Sequence, residues 1–266
     1  MNKRTRRDFR AVLFCVYIEQ MVESLKEDGK FGTAGAYHYA AVSFLKFRKG
    51  EDVSLNDITP ALIKAYENHL KAKNKSMNTI SCYMRSLRAV FNQAVKEKVF
   101  LPKRVNYKPF SGVFTGYAKT KKRAIGVEEI RKLEEVRGSY GELDEVQRLS
   151  PSITQSLYLF MFSFFTQGMT FVDMVNLKKM NIKENIICYK RKKTGQEIIV
   201  ELADCMRKII ERYYDENSDY VFPVLRKWER CGEFIKWNKS REALAIYNRN
   251  LKKLAKMAGI GEHLTS

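Results

Sequence analysis

The residues of this chain with types and spacing suited to chemistry fall in one tract, Phe164–Leu202, FFTQGMTFVDMVNLKKMNIKENIICYKRKKTGQEIIVEL. It reads as a buried helix end, a short second helix, then a hairpin whose turn is Lys193-Thr194-Gly195-Gln196. Three more cations, Lys190, Arg191 and Lys192, lead into that turn. Positive groups held on a short hairpin suit work on phosphate, where they meet charge on the oxygens. A formal net charge of +19 makes DNA the phosphate carrier to expect. Other chemistries have little material to use. Three histidines (His38, His69 and His263) give a His-based metal site or triad little support. The five cysteines (15, 82, 188, 205, 231) show no CxxC and no pairing pattern. That argues against zinc and fits a reducing cytoplasm. No metal or cofactor is expected.

Composition points the same way. Lys and Arg number 49 against 30 acids, with a pI near 9.7. Such a surplus speaks about partners and not about fold. Hydrophobic content of 45% leaves an ordinary core available. A membrane is a poor alternative partner. The longest nearly apolar run, Leu157–Phe165, is about half of what a span needs. Met1–Asp28 begins basic but alternates into a charged amphipathic helix, unlike a secretory signal. A cytoplasmic location is expected.

The elements that must position the tract come next. Helical spacing predicts four amphipathic helices in the first hundred residues. Phe9–Lys26 puts Phe9, Val12, Val16, Met21 and Leu25 near one stripe. A second helix over 33–47 turns Tyr37, Ala41, Phe44 and Leu45 inward. A third starts at Thr59-Pro60, a cap followed by a first-turn proline, and buries Leu62, Tyr66 and Leu70. The fourth, Thr79–Lys96, carries Ile80, Met84, Leu87 and Phe91 on one face and Ser81, Arg85, Arg88 and Asn92 on the other. Residues 101–123 hold two prolines, two glycines, seven Lys or Arg and no acid, and read as a basic linker. Beyond it, 127–137, 152–169, 203–214 and 240–258 read as helices around the hairpin. The fold class expected is mainly α with a small antiparallel β-sheet. The domains expected are a helical domain over 1–100, the linker over 101–123 and a second domain over 124–266.

Three segments resemble the tyrosine recombinase (phage integrase) family, with Bacteroides-type mobile-element integrases as the nearest look-alikes. They are MRSLRAVFNQAV within Tyr83–Val95, FFTQGMTFVDMVNLKK over Phe164–Lys179, and YKRKKTGQEIIVEL over Tyr189–Leu202. The resemblance implies a SAM-like helical core-binding domain and an α+β integrase catalytic domain. It also implies DNA strand breakage and rejoining through a phosphotyrosine, with no cofactor. Lys193 matches the hairpin lysine that acts as general acid. Asp173 matches the carboxylate that orients its neighbours. Thr170 stands where the family places its first arginine, and Gln167 stands where many look-alikes have Arg. Thr170 is expected to offer one neutral hydrogen bond and no charge. The family's second arginine and nucleophilic tyrosine would follow Ser266, so the catalytic domain is expected to be incomplete. Tyr213 and Tyr214 read as structural.

For DNA contact the resemblance suggests Arg85 and Arg88 on the fourth helix and Lys121, Lys122 and Arg123 between domains. It adds Lys190, Arg191 and Lys192 at the hairpin and, more weakly, Arg241. Double-stranded DNA is the expected partner, with self-association on it. Three functions compete: an active site-specific recombinase, a DNA-binding relative that occupies sites without cutting, and a protein that binds nucleic acid by charge alone.

Overall fold

A computed structural model describes residues 12–100, 102, 107–120, 125–141, 149–261 and 264, with the backbone alone for 137–141. The chain divides into two compact units, Met1–Thr120 and Lys121–Ser266.

The first unit contains α1 (Phe14–Glu27), α2 (Phe31–Phe47), α3 (Pro60–Ala72) and α4 (Met77–Lys96). Side-chain oxygens start two of them. Thr59 accepts from the Leu62 N–H ahead of Pro60, and Ser76 accepts from the Thr79 N–H. The core is aromatic at its centre. Phe44 meets Phe14 and Tyr66 edge-on, with centroids 6.0 and 5.2 Å apart. Full burial of side chains of this size contributes about 1.5–3 kcal/mol each.

Two inward and outward assignments change. Val16 is exposed, and α1 buries Phe14, Cys15, Tyr17, Ile18 and Val22 instead. The stripe follows from a helix that starts at Phe14, where Asp52 accepts from the Cys15 N–H. Ser81, read as part of the polar face of α4, is buried at 3% exposure because α2 packs against α4 there.

The segment read as a linker is largely part of this unit. Phe110 lies in the first core with Tyr107 and Val113 against it. The Tyr107 hydroxyl donates to the Ile58 carbonyl at 2.8 Å. The Phe114 N–H donates to Glu67 Oε1 at 2.9 Å. Aromatic residues in the segment supply the apolar anchorage that its Pro, Gly and Lys content conceals.

The second unit contains α5 (Val127–Gly141), α6 (Pro151–Phe165), α7 (Phe171–Val175), β1 (Ile182–Lys183), β2 (Ile186–Lys190), β3 (Glu197–Glu201), α8 (Asp204–Arg212) and α9 (Glu233–Met257). The strands form an antiparallel sheet in the order β1-β2-β3, with Ile187 opposite Val200 and Lys190 opposite Glu197. Ile187 and Val200 point into the core while Ile199 faces out, the alternation a half-buried hairpin requires. The apolar α6 packs against α9, and Asn250 fixes the pair. Its amide donates to the Ser152 carbonyl and to the hydroxyls of Ser152 and Ser156 at 2.9–3.0 Å. No described helix is long and apolar enough to cross a membrane.

Candidate functional site

The site in the second unit begins where α6 stops. Gln167 and Gly168 adopt φ of 57° and 93°, the left-handed region, and end the helix four residues before the expected Met169. The Gly168 N–H closes the turn on the Ser163 carbonyl at 2.8 Å. Gln167 is left exposed at this corner. The reversal puts Thr170 at the N-cap of α7, where its hydroxyl accepts from the Asp173 N–H at 3.3 Å.

Asp173 then gathers the site. It is 4% exposed. Its Oδ2 accepts from the Thr170 hydroxyl at 2.7 Å, and its Oδ1 accepts from the Lys192 N–H at 2.8 Å. One carboxylate therefore joins the α6–α7 corner to the basic hairpin. The Thr170 hydroxyl, expected to offer one neutral hydrogen bond, here donates to Asp173.

The hairpin turn is closed by its own backbone. The Gly195 N–H donates to the Arg191 carbonyl at 2.8 Å, with Gly195 at φ 70°, and the Arg191 N–H donates to the Gln196 carbonyl at 2.8 Å. Lys190, Lys192 and Lys193 are exposed around it and Arg191 is half-buried. Burial and then the Asp173 charge push the phenol of Tyr189, on β2, above the usual range. Glu233, in the first turn of α9, is held below the usual carboxylate range by its hydrogen bond from Lys236, with the charges of Lys192 and Lys178 adding to this against partial burial. Sequence reasoning missed Glu233 because α9 begins seven residues before the expected Ser240. Arg241 is exposed on α9, its guanidinium 4.9 Å from the Trp237 ring centroid.

The first unit carries a separate cleft of about 750 Å³ along α2, α4 and residues 116–117. Arg85 and Arg88 both line it, as do Asn78, Ser81 and Asn92. Arg85 Nη1 donates to the Tyr117 hydroxyl at 2.7 Å, and Arg88 Nη1 donates to Thr115 Oγ1 at 3.3 Å. These partners came from the segment read as linker, so no helical pattern pointed to them. Lys121, Lys122 and Arg123 lie outside the described residues. Among the described residues no group of three His, Cys, Asp or Glu side chains is placed to hold a metal ion.

Residues 13–108 match the Phage integrase SAM-like domain family. The fold extends the likeness over both units. A lambda integrase dimer bound to a COC′ core site matches with TM-score 0.63 at 16% identity, covering 97% of this chain and 67% of that one. The chain has an integrase-like fold. A second lambda integrase dimer, of residues 75–356, matches with TM-score 0.61 at 18% identity, covering 96% of this chain and 84% of that one. The Tn1549 transposon integrase (aa 82–397) in complex with circular intermediate DNA matches with TM-score 0.51 at 15% identity, covering 92% of this chain and 87% of that one. No curated protein matches the chain. In this integrase fold the Asp173 group and the arginine cleft occupy different units.

Proposed function

We propose that the chain binds duplex DNA as a protein of the site-specific recombinase type and self-associates on it. The observation that carries this reading is the Asp173 carboxylate, which ties the basic turn to the α6–α7 corner of an integrase fold. The cations Lys190, Arg191, Lys192 and Lys193 are thereby presented on a fixed backbone, ready for phosphate oxygens. The solved lambda integrases, a dimer on a core site and a tetramer on a Holliday junction, support self-association as part of the reading. The test is DNA affinity against salt. For each tenfold rise in salt, log K is expected to fall by about 0.9 per phosphate neutralised. Replacing Lys190, Arg191 and Lys192 together by Ala should flatten that line. Affinity indifferent to salt would remove the reading.

For strand cleavage, Thr170 favours occupancy without cutting. The position that the resemblance gives to an arginine holds a neutral side chain whose hydroxyl is committed to Asp173. Loss of one such stabilising donor lowers rates by about 10²–10³ in other enzymes. A nicked duplex that traps a covalent intermediate separates the readings. The chain is expected to bind it without a covalent adduct. An adduct that survives denaturation and disappears in Lys193→Ala would establish cleavage, with Lys193 protonating the leaving oxygen.

A further inference from the structure

We infer that Tyr117 is a positioning residue for Arg85, held in place by a strap of chain over residues 112–118. The inference rests on the proposed binding of duplex DNA, with Arg85 in the α2–α4 cleft taken as one of its contacts. Tyr117 is 82% exposed, so packing does not account for where it sits. Its side chain is in contact with Arg85. The guanidinium donates to the Tyr117 hydroxyl at 2.7 Å and lies over the ring, 5.1 Å from its centroid. Edge and face are both used, so a long flexible side chain is fixed at two points. One of five N–H donors is consumed, and the others remain for a phosphate.

The strap is itself anchored at both ends. Ala118 is clamped to Asn78 on α4: its N–H donates to Oδ1 at 2.8 Å and its carbonyl accepts from Nδ2 at 3.0 Å. Toward α3, Phe114 N–H donates to Glu67 and the Gly112 carbonyl accepts from Lys64 at 3.2 Å. Between these anchors Thr115 holds Arg88. An arginine ordered before binding does not lose its rotamer freedom on binding, so the strap raises affinity without a contact of its own.

The test is the affinity for a mixed-sequence linear duplex at fixed salt, with thermal unfolding followed alongside. Tyr117→Phe keeps the ring and should weaken binding about threefold, and Tyr117→Ala about tenfold, the scale of ordering one long side chain. Asn78→Ala, which frees the strap, should weaken binding in the same direction. The unfolding midpoint should stay unchanged for both Tyr117 variants. In an Arg85→Ala background, Tyr117→Ala should have no further effect. Full persistence of the Tyr117→Ala loss in that background would overturn the inference, since Tyr117 would then touch DNA itself. So would unchanged binding by Tyr117→Ala while Arg85→Ala weakens it. If Arg85→Ala itself leaves affinity unchanged, the DNA reading of the cleft fails, and the inference with it.

Discussion

Replacing Asp173 by Ala removes two acceptors at once, from the Thr170 hydroxyl and from the Lys192 N–H. Both bonds sit at a carboxylate that is almost fully buried, so the partners are left unsatisfied at a cost of about 1–3 kcal/mol. The expected outcome is a lower urea midpoint with an unchanged slope. Thr170→Val, which removes the cap of α7, should cost about 0.5–2 kcal/mol, while Thr170→Ser should cost little. Equal stability of Asp173→Ala and the parent chain would show that the corner and the hairpin hold together without this group. Asp173 was singled out in the sequence because it follows Thr170, the position that the resemblance gives to the first arginine. Its partner was not. Lys192 follows nineteen residues later, and the bond goes to its backbone, which no side-chain pattern reports. The committed hydroxyl of Thr170 was hidden for a similar reason, since a residue's type does not reveal which neighbour its hydroxyl faces.

Among the elements, α3 and the strap are joined through Glu67, which is 1% exposed. Burial opposes ionisation of its carboxyl. Hydrogen bonds from Lys64, the Phe114 N–H and Lys71 outweigh burial and hold it below the usual value of 4.5. A carboxyl whose folded value is depressed contributes stability above its unfolded value, and that contribution is lost as pH falls through the folded value. The first unit should therefore lose stability on acidification below about pH 4.5, and Glu67→Gln should be less stable at neutral pH with a flatter acid limb. Urea melts across that pH range check both; a Glu67→Gln limb as steep as the parent's would rule this carboxyl out as the cause. Helices α2, α3 and α4 could be read from the sequence because their apolar spacing and the Thr59-Pro60 start are local signals. The buried Ser81 could not, because α2 covers a position that helical spacing assigns to the polar face. β1 is two residues long, too short to show alternation. The strap read as linker because its partners, Glu67 and Asn78, lie 47 and 40 residues away in sequence.

At the scale of the whole molecule, two units carry the +19 charge into one polyanion in the proposed complex. When either unit holds the duplex, the other is tethered beside it, at an effective concentration in the mM range for a short joint. Cleaving the chain at a protease site inserted after Thr120 should lower affinity by about 10²–10⁴, followed by titration before and after cleavage. Unchanged affinity would mean that one unit does all the binding. Because Phe110, Phe114 and Ala118 are fixed to the first unit, that unit reaches further into 101–123 than the basic composition suggests. Residues added after Thr120 would dilute the second unit, roughly as the −3/2 power of tether length. In the proposed complex, avidity is thus set partly by Glu67, a buried side chain that need never touch DNA.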